Sequence, residues 1–348
     1  MKVLFLLIFL LSLLTATAFT QTKTLKDQAW SLASEGKYDK AAVLYEGIVA
    51  SNPKDSSSWS NLSWCYLETK RYQESVDAAR KAIESDPAAY VAYNNLGYSL
   101  TMLDQAEAAL EPLRTSIKIN GSYEKSRGNL IGALVKLDRD VDAVTELRSV
   151  IALYPQKITY RQQLAGIELK NEWFVEAIND LEELIKLEPM RANNFTMLGA
   201  ANASTGKSAK ALEAFQQAAI LDPDNVNVLK NLAFAMSING KQEESITVFQ
   251  QIITKNPKDF DATFGVAARY SNLGQLDEAL NFGRRALELR PDSGQAMMLV
   301  AMTYVSKGDK ESARQYLPRL KELNPQNAAI LEKMLAQPDK PKVKTIIN

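Results

Sequence analysis

Apolar residues along this chain recur at helical spacing in short blocks, and helix-breaking residues separate the blocks at a constant interval. Trp59, Leu62, Ser63 and Tyr66 fall on one face of a predicted helix, and Tyr72, Ser75, Ala79 and Ala82 on one face of the next. Pro53, Pro87, Pro155, Pro189, Pro223, Pro257, Pro291 and Pro325 differ by 34 positions or by 68, and the empty slot holds Gly121. Proline drives the residue before it out of the helical region, so each of these positions predicts the end of a helix. A second set of breaks lies midway. Gly36, Gly206, Gly240, Gly274 and Gly308 share one slot, where a backbone with positive φ is expected. Asp104 and Asp138 fill that slot at moderate cost, whereas Lys70 and Glu172 predict strained turns.

Two further slots hold small residues. One reads Ala29, Ser63, Gly97, Ala165, Gly199, Ala233, Ala267 and Ala301, with Ile131 the exception; the other reads Ala41, Ser75, Ala109, Ala143, Ala177, Ala211, Ser245, Ala279 and Ala313. Small side chains at both places let two helices approach closely. A helix-turn-helix of 34 residues with W-x2-L-G-x2-Y, then Ala, an aromatic and Pro resembles the tetratricopeptide repeat (TPR). Residues Trp59 to Pro87 carry the pattern, as do Leu198-Gly199, Ala211, Phe215 and Pro223. The resemblance covers residues 22–325 as nine tandem hairpins without insertion or deletion. It implies an all-α fold, a right-handed α-solenoid superhelix whose stability comes from stacking each hairpin on its neighbours. Residues 326–336, with Ala328, Ile330, Leu331, Met334 and Leu335, predict an amphipathic capping helix, and 337–348 a disordered tail. Pro112 inside a second helix, followed by Gly121 in a proline slot, predicts a flexing point near residues 110–124.

Ahead of the repeats, Lys2, the apolar run Val3 to Leu14 and Ala16-Thr17-Ala18 read as an export signal over residues 1–18. Its alternative is an uncleaved anchor, short against the roughly 20 residues a span needs. Either places the repeats outside the cytoplasm, periplasmic or secreted, and touching a membrane only if the segment is uncleaved.

Composition narrows the chemistry. Forty-one basic residues balance 41 acidic ones, so no net basic field favours nucleic acid. The chain has no histidine, which removes the commonest general base and metal ligand. Its single cysteine, Cys65, cannot form an internal disulfide and reads as a packed helix residue. No P-loop, dinucleotide fingerprint or metal motif is present, so no cofactor and no enzymatic activity are expected. The sequons at Asn61, Asn120, Asn194 and Asn202 matter only in a glycosylating pathway.

Family resemblance implies that the first helix of each hairpin lines a concave groove. One slot on that helix holds Asn61, Asn95, Asn129, Gln163 and Asn231, with Asp27 and Met197 in repeats one and six. An amide offers a donor and an acceptor and matches an extended peptide backbone without reading its sequence. This resembles the asparagine ladders of repeat scaffolds, although asparagine is common in this slot. Trp30, Trp64 and Tyr98 form a second stripe, which either faces the groove or packs between neighbouring first helices. Gly132 and Gly166 continue that stripe, with Gly128 nearby; Phe264, Met298 and Met302 make the far end apolar. A clamp for a chain-terminal carboxylate, known from the family, is incomplete: Asn95 and Lys125 match, but Trp64 and Asn129 replace two of its residues. The expected function is a non-enzymatic scaffold binding a protein or extended peptide within an envelope or secretory assembly. A structural spacer using its convex face and a targeting subunit of an enzyme complex are the rivals. Oligomeric state is left open.

Overall fold

Wherever the proline and glycine slots fall, the chain turns, and between them it is helical. The computed structural model describes residues 22–337, and no strand occurs among them. The export signal and all of the tail after Gln337 lie outside the described residues. The hairpins run α1 (22–34) and α2 (Tyr38–Ser51), α3 (Ser56–Glu68) and α4 (Tyr72–Ser85), α5 (Tyr90–Met102) and α6 (Ala106–Ile119), α7 (Glu124–Lys136) and α8 (Asp140–Leu153). They continue with α9 (Ile158–Lys170) and α10 (Phe174–Leu187), α11 (Ala192–Ser204) and α12 (Ser208–Leu221), α13 (Val226–Ile238) and α14 (Gln242–Lys255), α15 (Phe260–Asn272) and α16 (Leu276–Leu289). The ninth hairpin is α17 (Gly294–Ser306) followed by α18 (Lys310–Arg314) and α19 (Leu317–Leu323), and α20 (Pro325–Ala336) closes the described chain. No helix among the described residues is long and apolar enough to cross a membrane.

The turn within each hairpin is built as its slot predicts. All five glycines of that slot have φ between 74° and 81°, and Lys70, Asp104, Asp138 and Glu172 adopt the same left-handed region at 52° to 64°. There the amide of the residue after the slot reaches back to a carbonyl five residues earlier, as Arg71 N does to Tyr66 O at 2.8 Å and Lys37 N to Leu32 O at 2.8 Å. Such bonds satisfy carbonyls that a helix end leaves open. Holding Lys70 and Glu172 there costs energy that glycine would not.

The chain divides into two compact units, Met1–Ile167 and Glu168–Asn348, with the division inside α9. In unit 1, Ala29, Ala33, Tyr45, Ile48, Leu62, Cys65 and Tyr66 form one buried cluster. In unit 2, Phe215, Leu229, Phe249, Ile252 and Val266 form another, and Val300, Tyr304, Leu320, Leu331 and Leu335 a third, in which α20 covers the last hairpin. Each fully buried Leu or Phe contributes about 1.5–3 kcal/mol.

The small slots are buried at helix–helix contacts. A Cβ built on Gly97 would meet Leu113 Cγ at 2.4 Å, and one on Gly199 would meet the ring of Phe215 at 2.7 Å. Where the slots hold serine, the hydroxyls bond across the hairpin: Ser63 Oγ to Ser75 O at 3.0 Å and Ser75 Oγ to Ser63 O at 2.8 Å.

Two prolines behave differently. Pro112 sits inside α6, which nevertheless runs unbroken from Ala106 to Ile119. Pro318 lies outside the 34-residue register and occupies the first turn of α19, where no helical amide is required of it. There the second helix of the ninth hairpin splits into α18 and α19, a departure from the other eight.

Candidate functional site

In unit 1 the first helices α1, α3, α5, α7 and α9 contribute to one groove of about 1000 Å³. Trp30, Asn61, Trp64, Asn95, Tyr98 and Asn129 all line it, joined by Tyr123, Lys125 and Tyr160. Their 34-residue spacing sets this convergence, because it puts each at the same place on successive first helices. Gln163, exposed on α9, is outside this lining, and Asn231 belongs to a separate groove in unit 2.

The aromatic stripe both faces the groove and packs laterally. Trp30 and Trp64 have ring centroids 5.8 Å apart, and Tyr38 meets Trp64 edge-on at 5.4 Å. Trp30 nonetheless remains 55% exposed. Trp64 Nε1 donates to Glu68 at 2.9 Å, which fixes the ring. Further along, Tyr90 and Tyr123 meet edge-on at 5.1 Å.

The amides are less free than their spacing implies. Asn95 is 3% exposed and donates to Ser60 O at 3.1 Å, while its own oxygen accepts from Asn94 at 3.3 Å. Asn129 donates to Asn94 Oδ1 at 2.9 Å, and Asn61 to the Tyr45 hydroxyl at 3.2 Å. Asn95 and Asn129 therefore tie one first helix to its predecessor. Asn61 and Asn129 are part-exposed and keep their Oδ1 acceptors unused; Asn95 is buried and bonded through both its nitrogen and its oxygen. Asn94, one position from the predicted slot, is the hub of these bonds and also accepts from Ser126 at 3.2 Å. It breaks no pattern a helical wheel would flag, so its role was hidden in the sequence.

At the α7–α9 end, Glu124 accepts from Lys157 at 2.9 Å and from the Tyr160 hydroxyl at 3.0 Å. The Lys157 hydrogen bond is the main reason the Glu124 carboxyl titrates below its ordinary value. Burial, then the bond to Glu124, pushes the Tyr160 phenol up to about 12. Both groups hold their charge states across the physiological range. Lys125 stands exposed at the rim. A Cβ on Gly128 would stand 3.6 Å from the Tyr160 hydroxyl, an ordinary contact, while Gly132 and Gly166 face open space. Asn194 and Asn202 are buried, which closes those two sequons in the folded protein.

The groove of unit 2, about 630 Å³, is lined by Lys230, Asn231, Phe234, Phe260, Asp261, Phe264 and Arg290. Phe234 occupies the slot of Trp30, Trp64 and Tyr98 four repeats beyond Tyr98; extending the stripe past Gly166 and Ala200 would have found it. Met298 is buried and Met302 exposed, and neither lines this groove. No cluster of acidic, cysteine or histidine residues suited to a metal occurs among the described residues.

Models of the tetratricopeptide repeat match residues 26–90, 167–226 and 272–337, together more than half of the chain. No curated protein sequence matches it. Among solved structures it is similar to YrrB, a TPR protein with an unusual peptide-binding site, at 18% identity and TM-score 0.47, over 54% of this chain and 97% of that one. It is likewise similar to MamA, at 20% identity and TM-score 0.45, over 49% of this chain and 94% of that one. The segment of MamA from residue 41 onward from Desulfovibrio magneticus RS-1 aligns at 18% identity and TM-score 0.47, over 49% and 96%. Given the register of its turns, the small residues between its helices and these family matches, the chain belongs to the tetratricopeptide-repeat family.

Proposed function

We infer that this chain is a non-enzymatic protein-binding scaffold that takes an extended peptide segment into the groove of unit 1. The observation that carries this reading is the convergence of Trp30, Trp64 and Tyr98 with Asn61 and Asn129 on one open groove. Large rings bury much apolar area at small entropic cost, so exposed Trp30 beside partly buried Trp64 is a natural anchor for aromatic or aliphatic side chains of a partner. The unused carbonyl oxygens of Asn61 and Asn129 accept from backbone amides of a chain laid across them, which favours an extended segment over a compact one. Peptide binding in YrrB accords with this reading. Lys2, the apolar run to Leu14 and the Ala16-Thr17-Ala18 motif support export, which puts the partner in an envelope or secretory assembly.

The test is affinity purification of full-length protein from envelope extract, with partners identified by mass spectrometry, beside a Trp30→Ala/Trp64→Ala variant of matched circular dichroism. Loss of a partner in the variant is the expected result; an unchanged partner set would remove the groove from the function. Sequencing the mature N-terminus tests export. A start at or near Phe19 is expected, and a chain still beginning at Met1 in the envelope fraction would contradict cleavage.

A further inference from the structure

Asn231 is the one asparagine of the stripe whose side chain makes no hydrogen bond within the protein. Asn61, Asn95 and Asn129 each donate to another helix, whereas Asn231 makes no side-chain hydrogen bond and lies part-exposed in the unit 2 groove. Around it the groove is aromatic. Phe260 and Phe264 stack with planes 6° apart and centroids at 5.9 Å. Phe234 is 40% exposed and held edge-on against buried Phe249 at 5.3 Å.

Charge completes the site. Lys230 is occupied, bonded to Asp259 at 3.0 Å and Asp261 at 2.9 Å, so one ammonium holds both carboxylates of that wall. Arg290 is different. Its guanidinium lies 3.9 Å above the centroid of Phe260 and makes no ion pair. A guanidinium stacked on a ring has its face covered and its edge donors free, the geometry that receives a carboxylate side-on.

We propose that the groove formed by Asn231, Phe234, Phe264 and Arg290 is a second binding site, taking a peptide segment in which an acidic side chain adjoins an aromatic one. The aromatic side chain packs between Phe234 and Phe264. Asn231 holds the backbone passing over it through both a donor and an acceptor, and the acidic side chain pairs with Arg290. A segment within a longer chain suits the site better than a chain end, because Asn231 is matched to a continuing amide backbone and Arg290 is the one cation among the groove's lining residues outside an ion pair. The site belongs wholly to unit 2. It rests on reading the chain as a binding scaffold, but not on the groove of unit 1.

The probe is a fluorescein-labelled ten-residue peptide of Gly and Ser around a central Glu-Phe pair, blocked at its C-terminus as the amide. Fluorescence anisotropy with the full chain measures its affinity. Binding is expected to weaken at least tenfold in Arg290→Gln and in Asn231→Ala, and to fall with added salt. It should weaken similarly when the pair is Lys-Phe, and stay within twofold in Trp30→Ala/Trp64→Ala. Arg290→Lys, which keeps the charge but not the planar fork, should lie between wild type and Arg290→Gln. Circular dichroism of each variant separates loss of the site from loss of fold. Several outcomes overturn the proposal: no binding by wild type, binding indifferent to Arg290→Gln and Asn231→Ala, or binding only when the C-terminal carboxylate is free. Loss in the Trp30/Trp64 variant alone would move the peptide to unit 1, so the two readings fail separately.

Discussion

A methyl group decides the packing at Gly97. Its Cβ would lie 2.4 Å from Leu113 Cγ and 3.1 Å from the carbonyl of Ala109, so Leu113, itself fully buried, has nowhere to retreat. Gly97→Ala should therefore destabilise by about 1–3 kcal/mol, as overpacking does. Gly132, in the interior of α7, has nothing within 4 Å of the same added atom. There Gly132→Ala should stabilise by about 0.5–1 kcal/mol, because only the backbone entropy of glycine is at stake. Chemical denaturation of the two variants beside wild type checks the opposite signs. The sequence put Gly97 in a small-residue slot and Gly132 in the groove stripe, but how tightly Leu113 closes on Gly97 depends on another helix. Cys65 yields a third residue-scale expectation. Burial, with help from the nearby Glu68 charge, pushes its thiol up to about 12. Ellman's reagent at pH 8 should leave the native protein unlabelled and react once denaturant is added; rapid native labelling would contradict the packed reading.

At the scale of elements, helices begin in two ways. Some first helices carry a side-chain cap, whereas first helices α5, α7 and α11 do not, and second helix α18 is capped by Asp309. Second helices such as α4, α6 and α12 start without a side-chain cap, because the left-handed turn before them already fixes the chain direction. First helices α3, α13, α15 and α17 are capped by Asp55, Asn225, Asp259 and Ser293, all from one slot of the 34-residue frame. Asp, Asn and Ser suit that slot because their side-chain oxygens accept from the open amides at the start of the helix. Asp55 also pairs with Lys26 of α1 at 2.5 Å. Burial opposes its charge, but hydrogen bonds from Lys26, Ser57 and Ser58 outweigh that and hold its carboxyl below the ordinary value. A folded pKa below the unfolded one, roughly 3.9, adds stability above that value and loses it as pH falls through the folded pKa. Asp55→Asn should thus lose about 1 kcal/mol or less at pH 7, because asparagine still caps. The deficit against wild type should close as the wild-type carboxyl protonates. Thermal melts across pH 3 to 7 test this, and a deficit independent of pH would assign the loss to packing instead.

For the whole molecule, repeats that stabilise one another through neighbours make damage local. Leu331 of α20 is fully buried against the last hairpin with Leu320 and Val300. Leu331→Ala should cost about 2–5 kcal/mol, and hydrogen exchange should register it in α17 to α20 while α3 to α6 keep their protection. Uniform loss of protection would mean that the chain unfolds as one body. The flexing point expected near residues 110–124 rested on Pro112 and Gly121 together; α6 continues through Pro112, and the division into compact units, a separate property, falls within α9. A proline marks where one hydrogen bond is missing. Where the chain divides depends on how many neighbours cover each helix, which no local motif records.

The sequence by itself determined the hairpins, their register, the left-handed turns and the small residues between helices, because each follows from backbone sterics or from a repeat of 34. It also placed Trp30, Trp64 and Tyr98 together with Asn61, Asn95 and Asn129, since equal spacing on stacked helices forces convergence. Only the tertiary structure decided which amides were already spent. Asn95 and Asn231 share a slot and a chemistry, yet one is buried in bonds to Ser60 and Asn94, and the other stands unbonded in a groove of phenylalanines. The bond from Asn95 to Ser60 depends on an oxygen 35 residues away arriving at 3.1 Å, and periodicity alone does not carry that information.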